Sequence, residues 1–297
     1  MGHNEKKVNK SAVAVLAVCV IAAIACVAVL ILQKRNVSSQ EETYQSLANN
    51  TVSTESGQDG SESKDSGEGK AADETASSSL SEAEELRASY EKSLQTLKEL
   101  GIPVPEKEID FEKLQKETNP DIYAWIYIPD SVIDYPVLQH PSDNTYYLDY
   151  NIDGTKGYPG CIYTENYNSK DFTDPVTVMY GHNMKNGTMF AGLHKFEDKD
   201  YFDSTKYVYI YTPQKLFVYE VFSAFLADDA HILLNNDFYD QKNLQRYIDI
   251  GKNLKGMNVN NREGLEVTYE NHILTLSTCS TSSRNRYLVQ GVLLNED

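Results

Sequence analysis

Cys279 ends the run His272-Ile273-Leu274-Thr275-Leu276-Ser277-Thr278-Cys279, which alternates apolar and polar residues as a β-strand does. Side chains on a strand point alternately to its two faces. Leu274 and Leu276 therefore share a core face, and Thr275, Ser277 and Cys279 share the other. A short polar loop, 280–285, follows, and a new apolar run starts at Arg286. If the two strands are hairpin neighbours, Arg286 returns beside Cys279. A thiol beside a guanidinium is a setting that generates the reactive thiolate. Such a nucleophile needs a proton carrier, most often His. Of the six His, His182 stands out: it follows Gly181 at the end of the strand-like run Val176-Thr177-Val178-Met179-Tyr180. A residue just past a strand end lies at a rim, where sites tend to form. His194 and His231 sit in mixed polar context, His140 in a Pro turn, and His272 opens the thiol strand.

Two residues complicate this constellation. Arg284 lies two positions before Arg286, and strand alternation can bring both to one face. Cys161, within Pro159-Gly160-Cys161-Ile162, reads as a buried strand thiol, but a Cys161–Cys279 disulfide would abolish the nucleophile. Taken alone, the Thr-rich strand could simply carry a structural thiol. No HExxH motif or EF-hand loop is present, so no metal site is expected. Asp228-Asp229 and the acidic stretch 197–200 read as solvated turns.

The elements that must hold these residues are mostly strands. Residues 122–138 fit two short strands around Pro-Asp and Tyr-Pro turns. Further strands are expected at 160–164, 176–180, 207–211, 216–226, 265–278 and 286–294, with one amphipathic helix at 239–254. Many strands and one interrupting helix indicate a barrel or sandwich. Ahead of them, residues 80–100 carry an apolar stripe at helical spacing (Leu86, Tyr90, Leu94, Leu97), and Ser81 with Glu84 fits a capping box. A second short helix is expected at 109–117.

The first 79 residues have a different character. Residues 11–32 are an uncharged apolar run, long enough as a helix to cross a bilayer. It exceeds the apolar core of a cleaved signal peptide, so an uncleaved anchor is expected. Residues 33–79, rich in Ser, Gly, Asp and Glu, read as a disordered linker. The division is a cytoplasmic tail (1–10), a transmembrane anchor (11–32), a linker (33–79), N-terminal helices (80–118) and a β-rich domain (119–297). The anchor and linker would only localise the domain, so residues from Leu80 onward should suffice for folding and turnover. With 27 Lys plus Arg against 44 Asp plus Glu, the net charge is −17. That argues against a nucleic-acid-binding role, which needs a basic face. Four Cys in 297 residues exclude a disulfide-dense scaffold.

Several of these stretches, in their order along the chain, resemble the signatures of sortases, the membrane-anchored cysteine transpeptidases of Gram-positive bacteria. They are YGHNM (180–184) with NGTMF (186–190), TLSTC (275–279) and RYLVQG (286–291). WIYIP (125–129) with IDYPVLQ (133–139) resembles the start of the class B catalytic domain. The long helix-bearing connection before the thiol strand is likewise similar to class B. The resemblance implies a closed eight-stranded β-barrel with N-terminal helices, and a catalytic set of His182, Cys279 and Arg286. Ser277 and Thr278, next to the thiol, are expected to contact substrate. The resemblance further implies cleavage of an LPxTG- or NPxTN-like C-terminal sorting signal after Thr, through a thioester. The acceptor would be an amine of a peptidoglycan precursor or a pilin Lys, and the partners would be surface proteins bearing the signal. No cofactor is implied. The expected location is the cell membrane, single-pass, with the domain outside. Two other classes stay open at this point: a Cys/His cell-wall peptidase or amidase that hydrolyses, and a non-enzymatic surface-binding module.

Overall fold

A computed structural model describes residues 10–51, 73–280 and 284–296. The chain divides into two units, one ending at Thr43 and one running from Tyr44 to Asp297. Helix α1 spans Lys10–Asn49. Within the first unit Val18, Ile21, Ile24, Leu30 and Leu32 are exposed. The segment Val18–Asn49 has a mean hydropathy of 2.1 and is long and apolar enough to cross a membrane.

The helix does not stop where the expected linker begins. It continues to Asn49, so residues 33–49 of the expected linker are helical; residues 52–72 of it, and residues 1–9 of the expected tail, lie outside the described residues. The cause is tertiary. Tyr44, only 2% exposed, donates its hydroxyl to the Gly160 carbonyl at 2.7 Å, and its ring meets Tyr135 edge-on at 5.6 Å. Leu47 and Ala48 pack on the same core. Three residues at helical spacing bury one face, which the polar average of the region conceals. Helix α2 spans Asp73–Glu99, starting seven residues before the expected Leu80. Gly101, with φ +69°, turns the chain out of it. Helix α3, Phe111–Glu117, is capped by the Asp110 carboxylate, which accepts from Lys113 N at 2.9 Å.

The rest is a mixed barrel. Its strands are β1 Ile122–Tyr127, β2 Asp134–Leu138, β3 Ile162–Thr164, β4 Val176–Tyr180, β5 Tyr207–Tyr211, β6 Leu216–Asp228, β7 Asn260–Asn261, β8 Ile273–Cys279 and β9 Asn285–Leu293. The order β5-β1-β2-β3-β4-β8-β9-β6 closes through a β5–β6 pairing, and β7 adds to the far half of β6. The expected eight-stranded closure is thus present. Pairs β2–β3 and β4–β8 are parallel; the others are antiparallel. The thiol strand is shorter than the expected 265–278. Asn271 accepts from Thr268 N through its side chain, and its own N–H donates to the Thr268 carbonyl. That local turn replaces strand pairing. Helix α4, Tyr146–Asp149, a 3-10 helix, Phe190–Glu197, and helix α5, Lys199–Ser204, lie in the connections.

Ile126, Met179, Leu274, Leu276, Tyr287 and Val289 are among the buried residues of the barrel core. A second core lies on the outer wall. Between β6 and β7 the chain inserts α6, Ile232–Asn235, and α7, Gln241–Asn253. Ile232, Phe238, Leu244 and Ile248 of this insertion pack on Val176, Val178, Ile273, Leu288 and Val292. The face of β8 that carries Cys279 is therefore covered at one end and open at the other.

Tyr44 makes the last turns of α1 part of the folded domain. Removing a buried aromatic costs roughly 3–5 kcal/mol. A soluble form starting at Leu80 should melt well below one starting at Gln40. Tyr44→Ala in the longer form should reproduce most of that loss. Equal melting temperatures of the two forms would show that the segment is dispensable.

Candidate active site

The register of β4 against β8 sets the geometry. Tyr180 pairs with Ser277. Beyond that pair, Gly181 N donates to the Ser277 carbonyl at 3.2 Å, Thr278 Oγ1 to the Gly181 carbonyl at 2.8 Å, and Asn183 Nδ2 to the Cys279 carbonyl at 2.9 Å. Contacts thus continue past the end of β4, and the segment 181–183 that carries His182 is tied to the end of β8 through Gly181 and Asn183. On the other side, β9 runs antiparallel to β8, and Cys279 pairs directly with Arg286. Partners in a strand pair share a face. Cys279 and Arg286 are thereby paired on adjacent strands, and His182 lies two residues past the end of β4, the other neighbour of β8. Arg284 is exposed in the turn before β9.

Tyr163 on β3 faces the same place. It pairs with Tyr180, and the two rings stack at 5.5 Å. Burial raises the pKa of its phenol; the charges of Glu165 and Cys279 raise it further, and the Arg286 guanidinium opposes them. One phenol senses both the thiol and the guanidinium.

His182 is held from below. Its Nε2 lies 2.7 Å from the Leu148 carbonyl. A carbonyl only accepts, so Nε2 carries the proton and Nδ1 is the free basic nitrogen. The Tyr158 ring meets the imidazole edge-on at 5.0 Å. Gly160 permits this closeness: its φ is +67°, and a Cβ there would lie 2.8 Å from Tyr147 O, 2.9 Å from Leu148 O and 3.3 Å from His182 Cδ2.

Ser277 lies on the thiol face, in register with Tyr180 and Leu288. The Thr278 hydroxyl is engaged by Gly181 and joins the two strands. Cys161 and Cys279 are both free thiols, so the Cys161–Cys279 disulfide is not formed. Cys161 is buried, with Tyr44 Oη 3.3 Å from its sulfur, and burial pushes its pKa up to about 12. Among the described residues no cluster of acidic, His and Cys side chains could hold a metal ion.

Two parts of the site escaped the sequence reading. Asn183 ties the His182 loop to Cys279; its position next to His182 was the available signal. His231 Nε2 lies 3.0 Å from Oε1 of the buried Glu165, while its Nδ1 accepts from Leu234 N. That pair pins the start of α6 to the end of β3, and nothing in the local sequence marks it.

The sortase domain model matches residues 126–294, more than half of the chain. The chain belongs to the sortase family. It is 31% identical to sortase B of Listeria monocytogenes over 216 residues, which is 72% of this chain and 84% of that protein. It is 28% identical to sortase B of Staphylococcus aureus, over 67% of this chain and 79% of that one. Among solved structures, Clostridium perfringens sortase B superposes with a TM-score of 0.54 at 29% identity, covering 62% of this chain and all of that one. A sortase B–substrate complex from Staphylococcus aureus superposes with a TM-score of 0.56 at 26% identity, covering 71% and 97%. This sortase is of class B, an enzyme and a cysteine transpeptidase as sortases are. Sortases act on sorting-signal substrates and amine acceptors.

Two substitutions check the geometry of this sortase. Gly160→Ala should displace His182 and lower kcat by about tenfold or more, since misplacement of a reacting group by about 1 Å can cost about 10²-fold. Turnover at the normal rate in a folded variant would mean that the Gly160 contact does not position the ring. In native protein at pH 8, iodoacetamide should modify Cys279 and leave Cys161 unmodified, as read by peptide mass spectrometry. Cys161→Ala should stay active.

Proposed function

We propose that Cys279 is the nucleophile, His182 the proton carrier and Arg286 the oxyanion-stabilising and substrate-holding residue of this sortase. The observation that carries the reading is the direct pairing of Cys279 with Arg286, on the strand face that His182 joins through the parallel neighbour. Cys279 Sγ attacks the carbonyl after Thr in an LPxTG- or NPxTN-like sorting signal. The thiol proton passes to His182 Nδ1 as the C–S bond forms, the C–N bond breaks, and His182 gives that proton to the departing amine. The product is a thioester acyl-enzyme. An incoming amine then loses its proton to His182 and forms a new C–N bond, the C–S bond breaks, and His182 returns the proton to the departing sulfur. Charge accumulates on the carbonyl oxygen in both steps, and a fixed guanidinium beside the sulfur meets it. Since Nε2 of His182 donates to Leu148, Nδ1 is the nitrogen that shuttles the proton. Ser277 contacts the bound peptide; the Thr278 hydroxyl holds the strands.

The acceptor is an amine of a peptidoglycan precursor or a pilin Lys, and the partners are surface proteins bearing the signal. The apolar part of α1 anchors the enzyme in the cell membrane as a single pass. The N-terminus is inside and the catalytic domain outside, where long domains are translocated largely regardless of charge. A peptidase would pass the acyl group to water, and a binding module would have no use for the paired Arg.

Cys279→Ala should abolish turnover without loss of fold. Arg286→Ala should lower kcat by about 10²–10³-fold, and Arg286→Lys should lose much of the rate because the planar fork is gone. Arg284→Ala should be near neutral. Peptide cleavage assayed with and without an added amine should show amine-dependent ligation. Hydrolysis alone would identify a peptidase, and a crippled Arg284→Ala beside a normal Arg286→Ala would move the role to Arg284.

A further inference from the structure

A nucleophile on the last residue of a strand has a mechanical weakness. Strand ends open more easily than strand centres, and Cys279 is the terminal residue of β8. Its carbonyl is held by two side chains from outside the strand. Asn183 Nδ2 donates to it at 2.9 Å, and His194 Nε2 lies 3.1 Å from the same oxygen.

His194 is itself braced on three sides. Its Nδ1 lies 2.6 Å from Glu197 Oε1, one turn along the same 3-10 helix. The second carboxylate oxygen of Glu197 accepts from Asn258 Nδ2 at 2.8 Å. The imidazole stacks on the buried Tyr287 ring, centroids 5.0 Å apart and planes 26° apart. Tyr287 directly follows Arg286 on β9. The Glu197 carboxylate only accepts, so Nδ1 of His194 donates to it, and Nε2 faces the Cys279 carbonyl. Asn183 Nδ2 is also within hydrogen-bond distance of His194 Nε2, at 3.0 Å, so the amide, the imidazole and the Cys279 carbonyl form one cluster.

We infer that the His194–Glu197 pair is a positioning device for the nucleophile: it pins the Cys279 carbonyl and thereby fixes the thiol against His182 and Arg286. The peptide unit is planar, so holding the Cys279 oxygen also fixes the Ser280 N–H. That N–H donates to the Asn285 carbonyl at 3.1 Å and closes the neck of the 280–285 loop. The clamp therefore sets both the sulfur and the strand return that delivers Arg286. His194 acts through the backbone of Cys279 and touches no reacting atom. This rests on Cys279 being the nucleophile, which the Cys279→Ala variant tests separately.

The experiment compares His194→Ala, His194→Gln and Glu197→Gln in the full-length enzyme, using an LPxTG- or NPxTN-type reporter peptide and recording melting temperatures alongside. Gln keeps a donor near the Nε2 position but loses the ring and the ion pair. His194→Ala should lower kcat by about tenfold or more with KM within about twofold, because peptide contacts are intact. His194→Gln should recover most of kcat even if its melting temperature stays as low as that of the Ala variant. Glu197→Gln, which leaves the ring in place, should fall between. Normal kcat in His194→Ala, or a Gln variant as slow as Ala, overturns the inference: the first removes the role, and the second assigns the loss to packing on Tyr287. Should the Ala variant fail to fold, the Gln variant decides alone: kcat near wild type supports the clamp, and a tenfold loss contradicts it.

Discussion

The parallel register between β4 and β8 is the constraint on which the site depends. Neither strand holds a complete reaction centre. The hydrogen bond from Thr278 to Gly181 joins segments 97 residues apart, and that pairing ties the segment carrying His182 to the end of β8. A slip by one residue would turn Cys279 toward the barrel interior, because side chains alternate. The register is protected from both sides. Leu274 and Leu276 fill the barrel, while Ile273 with Val176 and Val178 packs under the α6–α7 insertion. Parallel neighbours need a long crossover, and here it contains β5, β6 and that insertion. The same crossover supplies the strand against which β9 pairs to return Arg286.

Around this register the structure spends polar contacts on holding groups still. His182 is supported by the Leu148 carbonyl and the Tyr158 ring, across a glycine whose lack of a side chain permits the approach. The Gly160 carbonyl in turn accepts from Tyr44, so the last turns of α1 brace the loop on which the imidazole rests. Glu165 and His231 fasten the insertion to the barrel. The first contacts hold the imidazole ring itself, and the others hold the backbone and the insertion around it. Preorganisation of this kind is what electrostatic stabilisation of a developing charge requires.

The strands were legible as short runs rich in apolar and β-branched residues bounded by polar turns, as in 273–279 and 285–293. Cys279, Arg286 and His182 drew notice as residues at strand ends beside turns, but the resemblance of their motifs to those of sortases, not periodicity, singled them out as a set. The helical continuation of α1 was hidden: Tyr44, Leu47 and Ala48 are three residues in a polar stretch, and their burial depends on a surface built 90 residues later and beyond. The strand expected from 265 was displaced by the side chain of Asn271, a contact that alternation does not register. The carbonyl clamp on Cys279 was hidden for a related reason. Its acceptor is a backbone atom, and its donors come from a loop and a 3-10 helix with no regular period.

The central claim is that the thiol paired with Arg286 forms the covalent intermediate. Intact-protein mass spectrometry after mixing the enzyme with a sorting-signal peptide, in the absence of amine, tests it directly. The acyl group should appear as a thioester on Cys279, should vanish when an amine is added with release of ligated product, and should be missing from Cys279→Ala. An adduct on any other residue, or turnover by Cys279→Ala, would contradict it.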